Sequence, residues 1–106
     1  MRARVVISKS TRTGKKLMAV FAYPGGQKKT VHFGCASCGD FIRWSNVSHY
    51  LGDGKRRAYI ARHGASKSHE NWNDPTSPGA LSRWILWEKR SLASAIASYK
   101  RRFSIS

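Results

Sequence analysis

Acidic residues are scarce in this sequence. Only 5 Asp and Glu stand against 20 Lys and Arg among 106 residues, which gives a formal net charge of +15. Such an excess of positive charge indicates an anionic partner: nucleic acid, an acidic protein surface or acidic lipid. With so few carboxylates, the sequence offers no convincing acid pair for catalysis or for a hard metal ion. We therefore expect no enzyme activity and no small-molecule substrate.

Long apolar runs are absent as well. Near the N-terminus the apolar run is Val5–Ile7, too short for the core of a secretory signal. No run approaches the roughly 20 residues that a membrane-spanning helix needs. We expect a soluble protein that is not secreted. A hydrophobic content of 41% is nevertheless too high for a disordered tail, so one small domain over 1–106 is predicted.

Cysteine is limited to a single C-x-x-C, formed by Cys35 and Cys38. A structural zinc ion needs four ligands, and His63 and His69 are distant in sequence from the two cysteines. A redox pair is the other chemical alternative, although no βαβ pattern surrounds the two cysteines. The sequence leaves open whether these thiols are free, bridged or metal-bound. We predict no bound metal and no cofactor.

The N-terminal third is typical of a small antiparallel sheet. Residues 2–8, 16–23 and 29–33 are short β-prone segments, separated by a polar loop and by a turn at Pro24-Gly25. They predict a three-stranded meander with one apolar face, which needs a cover.

The C-terminal half, 53–103, predicts that cover. Asp53 is predicted to cap a helix over 54–63, and Ser77 with Pro78 to start another. A third helix is predicted to start at Ser91, while residues 41–50 stay ambiguous. The predicted fold class is therefore α+β: a small three-stranded antiparallel sheet covered by C-terminal helices.

Apolar periodicity predicts which side chains form the core. Large residues recur at three- and four-residue spacing in the helical half, and a small domain with four tryptophans normally buries most of them. Exposed aromatic rings that stack on unpaired bases are the alternative. The predicted core residues are Phe33, Tyr59, Trp72, Leu81, Trp84, Trp87, Leu92, Ile96 and Tyr99.

Basic residues are the predicted binding groups. Eight of them fall within residues 1–31, which contain no acid, and others cluster in "GKRRAYIARHG" and at 100–102. Such side chains grip phosphates or acidic protein surfaces without reading a sequence. The predicted partner- or phosphate-binding residues are Arg2, Arg4, Lys15, Lys16, Lys28, Lys29, Lys55, Arg56, Arg57, Lys100, Arg101 and Arg102.

Four side chains that are close in sequence raise a third possibility, a metal-dependent nuclease: His63, His69, Glu70 and Asp74. The His-Glu pair is not part of an H-E-x-x-H motif, and each acid could equally balance a nearby arginine. Arg62, Glu70 and Arg83 are expected to form ion pairs, while the tryptophans pin this turn-rich loop to the core.

Several short motifs follow one another along the sequence, and a predicted amphipathic helix comes after them. The motifs are "VHFG", "RRAYIARH", "ENW", "SRW" and "LW". Over residues 29–103 the series resembles a family of small basic proteins of unknown function from large DNA viruses, the chlorella-virus and mimivirus relatives. Residues 1–28 match only loosely, and the paired cysteines at 35–39 depart from the family pattern.

The resemblance implies a viral origin and a place in the virion, the protein being made in the cytoplasm or nucleus of the host cell. We expect a minor capsid protein that bridges larger capsid proteins through basic surfaces and tails. A non-sequence-specific DNA-binding or packaging protein is the alternative. A bridging protein should spread its basic residues among several faces, whereas a DNA-binding protein should concentrate them on one.

Overall fold

A computed structural model describes residues 3–64 and 70–106. Three antiparallel strands are followed by four α-helices, so the predicted α+β arrangement is confirmed. The strands follow one another in space as in sequence, and their bounds differ from the predicted ones by one or two residues. They are β1 (Arg4–Lys9), β2 (Lys15–Ala22) and β3 (Lys28–Cys35).

The turn between β2 and β3 forms where the Pro-Gly signal predicts it. Gly25 and Gly26 have φ angles of +95° and +91°, which residues with a Cβ rarely adopt. The Tyr23 amide donates to the Gln27 carbonyl at 2.8 Å and closes the turn. The local residues therefore set this hairpin and its register.

The two faces of the sheet have different surroundings. On the inner face Ala19, Phe21 and Phe33 are fully buried beneath the helical half. On the outward face Val6 pairs across the sheet with Val20 and remains 64% exposed. The helices therefore cover one face and leave the other open.

Residues 41–50, ambiguous in sequence, belong to two consecutive helices, α1 (Phe41–Val47) and α2 (His49–His63). The Asp40 carboxylate caps α1 by accepting from the Arg43 amide at 2.8 Å. The Ser48 hydroxyl caps α2 by accepting from the Leu51 amide at 3.0 Å. Two side-chain caps thus start helices that the β-prone composition of this segment obscures.

The prediction that Asp53 caps a helix over 54–63 is wrong, because α2 begins at His49, five residues earlier. Asp53 lies within α2, and its carboxylate accepts from Arg90 at 2.8 Å. The neighbouring Gly52 lets α1 approach closely, since a Cβ there would lie 3.0 Å from the Ser45 Cα. Helix packing, rather than a helix end, accounts for the glycine in this stretch. Gly64 ends α2 as predicted.

The predicted start of the next helix is confirmed: the Ser77 hydroxyl caps α3 (Pro78–Leu81), with Pro78 in its first turn. A π-helical turn over Ser82–Leu86 follows directly. The wider turn changes the helical period, so Ile85, Leu86 and Trp87 are buried in succession.

Helix α4 (Leu92–Phe103) begins after its Ser91 cap, as predicted. Its inner face buries Ala95 and Tyr99 completely. The prediction that Leu92 belongs to the core is wrong: it is the first helical residue and is 37% exposed, because the chain enters the helix from the surface. Ile96 is partly buried against the core.

The C-terminus returns to the sheet. The Val5 amide donates to the Ser106 carbonyl at 2.9 Å, and the Ser106 amide donates to the Ala3 carbonyl at 3.1 Å. The last residues therefore occupy the open edge of β1 near its start, which would otherwise expose unpaired backbone groups. Ile105 is buried beside them.

Of the other predicted core residues, Phe33, Tyr59, Leu81, Trp87 and Tyr99 are buried. Trp72 and Trp84 are partly buried and pack against the same cluster. Their rings meet edge to face, with centroids 6.4 Å apart.

Candidate functional site

The acidic residues are engaged inside the molecule. Glu88 accepts from Arg56 at 2.9 Å and from Arg83 at 3.0 Å, and Arg83 is itself buried. Buried Asp40 forms an ion pair with Lys16 at 2.5 Å. The other three also accept hydrogen bonds: Asp53 from Arg90, Glu70 from His63 and Trp72, and Asp74 from Thr76.

These contacts leave the surface with little negative charge to balance its cations. Most of the predicted basic residues in the described part of the chain are exposed, and Lys100 is half-buried. The exposed ones lie on all three strands, on α2 and on α4: Arg4, Lys15, Lys28, Lys29, Lys55, Arg57, Arg101 and Arg102. Arg2 lies outside the described residues.

Two of the predicted binding residues have internal roles. Lys16 and Arg56 are half-buried, and each holds a carboxylate of the core. Their charges are already paired within the molecule, and their assignment to partner binding stays a prediction. Arg102, although exposed, lies with its guanidinium carbon 3.5 Å from the ring centroid of Trp84.

Several exposed cations escaped the sequence prediction. Lys9, Arg12 and Arg43 stand singly rather than in runs, and a run of adjacent basic residues is the signal that sequence analysis favours. The missed cations are Lys9, Arg12, Arg43, Arg62 and Lys89.

The outward face of the sheet is aliphatic at its centre and basic at one end. Cross-strand pairs place Val6 beside Val20, and Arg4, Ala22 and Lys28 in one row. Met18 and Val20 are half-exposed and Val6 is largely exposed. We call Arg4, Val6, Met18, Val20, Ala22 and Lys28 the outward sheet face.

Helix α2 presents cations to the outside and buries Tyr59, as predicted. Tyr59 is only 5% exposed, whereas Tyr50, at the start of the helix, is 86% exposed. Lys55, Arg57 and Arg62 are exposed on the same helix. Sequence analysis missed Tyr50 because it falls in the segment whose secondary structure was ambiguous.

A cavity of about 290 Å³ lies between the end of the sheet and α2. Its lining includes Lys16, both cysteines, Tyr59 and Arg62. The cavity therefore joins residues that are far apart in sequence, and it offers space for a small group.

Stacked rings form one wall of this cavity. The Tyr59 ring lies between His63 and Trp87, with both centroid distances at 4.4 Å. The Tyr59 hydroxyl is buried and has no hydrogen-bond partner among the described residues. Burial raises the pKa of Tyr59 well above its usual value, and the nearby Glu70 carboxylate raises it further. The hydroxyl thus stays protonated and is a donor without an acceptor.

His63 and Glu70, the proposed nuclease pair, do meet: His63 Nδ1 donates to Glu70 Oε1 at 2.9 Å. Glu70 also accepts from the Trp72 indole at 3.1 Å. Within the described ranges, no three His, Cys, Asp or Glu side chains gather as a metal site, and His69 lies outside those ranges. Arg83, expected near Glu70, pairs with Glu88 instead.

Cys35 and Cys38 are joined by a disulfide, so neither sulfur is present as the thiolate that zinc would need. Both residues are exposed, and both border the cavity. The loop is also tied to its surroundings by hydrogen bonds: the Ala36 amide donates to the Gly14 carbonyl, and Lys16 Nζ donates to the Cys38 carbonyl.

No helix of the described ranges is long and apolar enough to cross a membrane. Residues 5–49 match a family whose description is Family of unknown function (DUF5754). The match covers the sheet, the disulfide loop and α1, and it stops before the tryptophan-rich half. No curated protein and no solved structure matches the chain.

Proposed function

We propose that this protein is a structural component of the particle of a large DNA virus, a minor capsid protein that bridges larger capsid subunits. The observation that carries the proposal is the separation of charge. All five acids have partners inside the molecule, while exposed cations lie on the strands, on α2 and on α4. The viral setting rests on the resemblance of the motifs between residues 29 and 103.

Cations spread over several elements suit a protein that contacts more than one neighbour. Each patch can meet an acidic surface of a different subunit, where charge complementarity sets orientation and register. The outward sheet face adds an aliphatic centre next to Arg4 and Lys28, as an interface with a protein requires. A net charge of +15 opposes self-association through these same patches.

Cryo-electron microscopy of the intact particle tests the proposal. We expect density for this chain between larger capsid proteins, with acidic side chains of those proteins opposite its exposed cations. Absence of the chain from the purified particle, or its presence only with the genome, would contradict the bridging role. Replacement of Val6 by Asp on the outward sheet face should reduce incorporation, while Val47→Asp, at another exposed valine, serves as the matched control.

The second candidate function is non-sequence-specific binding of DNA. It is favoured by α2, where Lys55, Arg57 and Arg62 are exposed together with Tyr50. Cations can contact phosphates, and the tyrosine ring can stack on an unpaired base. The outward sheet face, being aliphatic, offers no comparable stacking surface.

Titration of duplex and single-stranded DNA against salt tests this second function. For a DNA-binding protein, the slope of log K against log salt should be about −0.9 for each phosphate neutralised on the duplex. Arg57→Gln should lower that slope by about one contact, and Tyr50→Ala should weaken the single-stranded complex alone. Absence of measurable DNA binding at low salt would reject this second function, and only the bridging role would remain.

A further inference from the structure

We propose that the Cys35–Cys38 disulfide is a redox-active site that exchanges with the thiol of a cysteine-containing peptide. Bridging capsid subunits requires no such chemistry, so the proposal goes beyond the proposed function and stands independently of it. The site consists of the disulfide, the cavity beside it and the cations that line this cavity.

Access is the first argument. Both cysteines are exposed, and both border the cavity of about 290 Å³. A disulfide that serves only stability in a small domain is normally shielded, whereas an exposed one is open to attack by a thiolate. A peptide side chain could enter the cavity and reach either sulfur.

The fold does not depend on this disulfide. It closes the short loop between residues 35 and 38, and a short loop gains little stability from a cross-link. The same loop is held by the Cys38 amide, which donates to the Cys35 carbonyl at 3.2 Å, and by Lys16 Nζ on the Cys38 carbonyl at 2.8 Å. The two sulfurs should therefore remain close together after reduction.

Charge favours the reduced form. Arg62 lines the cavity together with two pairs, Lys16 with Asp40 and His63 with Glu70, and the whole chain is strongly cationic. Positive charge stabilises a thiolate, and stabilisation of the thiolate makes the disulfide a stronger oxidant. Sequence analysis alone could not give this environment to the C-x-x-C, because Lys16 and Arg62 are distant in sequence.

The Tyr59 hydroxyl, which has no acceptor among the described residues, indicates which class of substrate thiol the site would bind. Tyr59 lies in the wall of the cavity, and its buried O–H has no acceptor among the described residues. A peptide thiol supplies carbonyl or carboxylate oxygens close to its sulfur. With a shift of the Tyr59 side chain that opens its buried hydroxyl to the cavity, such an oxygen could accept from it while the sulfur meets the disulfide.

The exchange balances in two steps. A substrate thiolate attacks one protein sulfur, forming a mixed disulfide while the other cysteine leaves as a thiolate. A second substrate thiolate then attacks the substrate sulfur of the mixed disulfide and releases the second cysteine. Two substrate thiols become one disulfide, two electrons pass to the protein, and the two protons end on Cys35 and Cys38.

Equilibration of the folded protein with mixtures of reduced and oxidised glutathione tests the proposal. Mass spectrometry after alkylation would count the thiols, and circular dichroism would follow the fold. We expect reversible conversion between disulfide and dithiol in native buffer with an unchanged spectrum. A disulfide that resists millimolar glutathione until the protein is denatured would overturn the proposal, as would loss of the fold on reduction or failure of the thiols to reoxidise.

Single substitutions test the role of each residue in the proposed site. Cys35→Ser and Cys38→Ser should each accumulate a mixed disulfide with glutathione, which the wild-type protein resolves. Tyr59→Phe should slow reduction by glutathione about fivefold, the effect of one hydrogen bond, but leave reduction by ethanethiol unchanged. Equal slowing with both thiols, or none with either, would refute the role of the hydroxyl.

Arg62→Met should move the pH profile of reoxidation to higher pH, because a less stabilised thiolate forms later. Arg57→Met, at another exposed arginine of α2, is the matched control and should leave the profile in place. Identical profiles for the two variants would show that the cavity cation has no part in the exchange.

Discussion

Tyr59 and Tyr99 are the two most buried tyrosines described, and their hydroxyls have opposite surroundings. Tyr99 is fully buried in α4, and its hydroxyl donates to the Pro75 carbonyl at 2.6 Å. Tyr59 is 5% exposed in α2, and its hydroxyl has no partner among the described residues. The first tyrosine is bonded as a structural residue, and the second lies in the wall of a cavity.

This difference separates a part of the core that stabilises the fold from a part that can accept a bound group. A buried hydroxyl without a partner costs stability unless a bound group supplies the acceptor. Near Tyr99 this cost does not arise, because the Tyr99 hydroxyl donates to the Pro75 carbonyl. Near Tyr59 the cost remains, in the wall of a cavity that an exposed disulfide and Arg62 also border.

Trp84→Ala should have the largest effect, since Trp84 connects the two tyrosine regions. Its indole donates to the Trp72 carbonyl at 2.8 Å, and Arg102 of α4 covers its ring. We expect a loss of about 3 kcal/mol in the free energy of unfolding, at the low end for a large aromatic because the ring is only partly buried. Urea denaturation measures it, with exposed Tyr50→Ala as control. An unchanged midpoint would mean that Trp84 is available for binding.

Tyr99→Phe should come next. The substitution removes a hydrogen bond inside the core and leaves the Pro75 carbonyl without its donor. We expect a loss of about 1–2 kcal/mol in the free energy of unfolding at neutral pH. A variant as stable as wild type would erase the contrast between the two tyrosines.

Alkaline pH should weaken the fold through both tyrosines. Burial raises the pKa of each in the folded state, with Asp74 adding to the effect at Tyr99 and Glu70 at Tyr59. Because the raised pKa favours the neutral form, this stability is complete below about pH 10 and is lost as the unfolded tyrosines ionise above it. At pH 10.5 the loss should be about 0.8 kcal/mol for each tyrosine.

Urea midpoints at pH 8 and pH 10.5 would measure this loss for wild type, Tyr59→Phe and Tyr99→Phe. Each phenylalanine variant should lack the part of the alkaline loss in stability that its own tyrosine causes in wild type. An identical loss in all three proteins would assign the alkaline weakening to other groups.

Tyr59→Phe at neutral pH should have the smallest effect on stability, within about 0.5 kcal/mol of wild type or slightly favourable, because no bond is lost. The ring and its stacking on His63 and Trp87 remain. A loss as large as that of Tyr99→Phe would reveal a partner for the hydroxyl and would remove one support of the redox proposal.

Several features that depend on neighbours in sequence were predictable, although the equally local caps Asp40 and Ser48 were missed. Ser77 with Pro78, Ser91 and the Pro24-Gly25 turn act on backbone groups within a few residues, so their pattern alone locates helix starts and a hairpin. Features that depend on distant partners were not. Asp53 was predicted to cap a helix, but it lies within α2 and its carboxylate accepts from the distant Arg90.

The candidate site shows the same limit. Cys35 and Cys38 were recognised as a pair, but their disulfide depends on the folded loop, and their cavity depends on α2 lying beside the end of the sheet. Tyr59 was correctly placed in the core, yet nothing in its sequence neighbours shows that its hydroxyl has no acceptor.

By itself, the sequence determined the large positive charge, the three-stranded meander and the helical cover, because composition and local periodicity are properties of the chain. Only the tertiary structure decided which charges remain free. It gave all five acids intramolecular partners, left most of the other described cations at the surface, and placed a residue with an unsatisfied hydroxyl in the wall of a cavity that the disulfide borders. The reason is physical: an ion pair or a cavity wall is formed by groups that only folding brings within a few ångströms of each other.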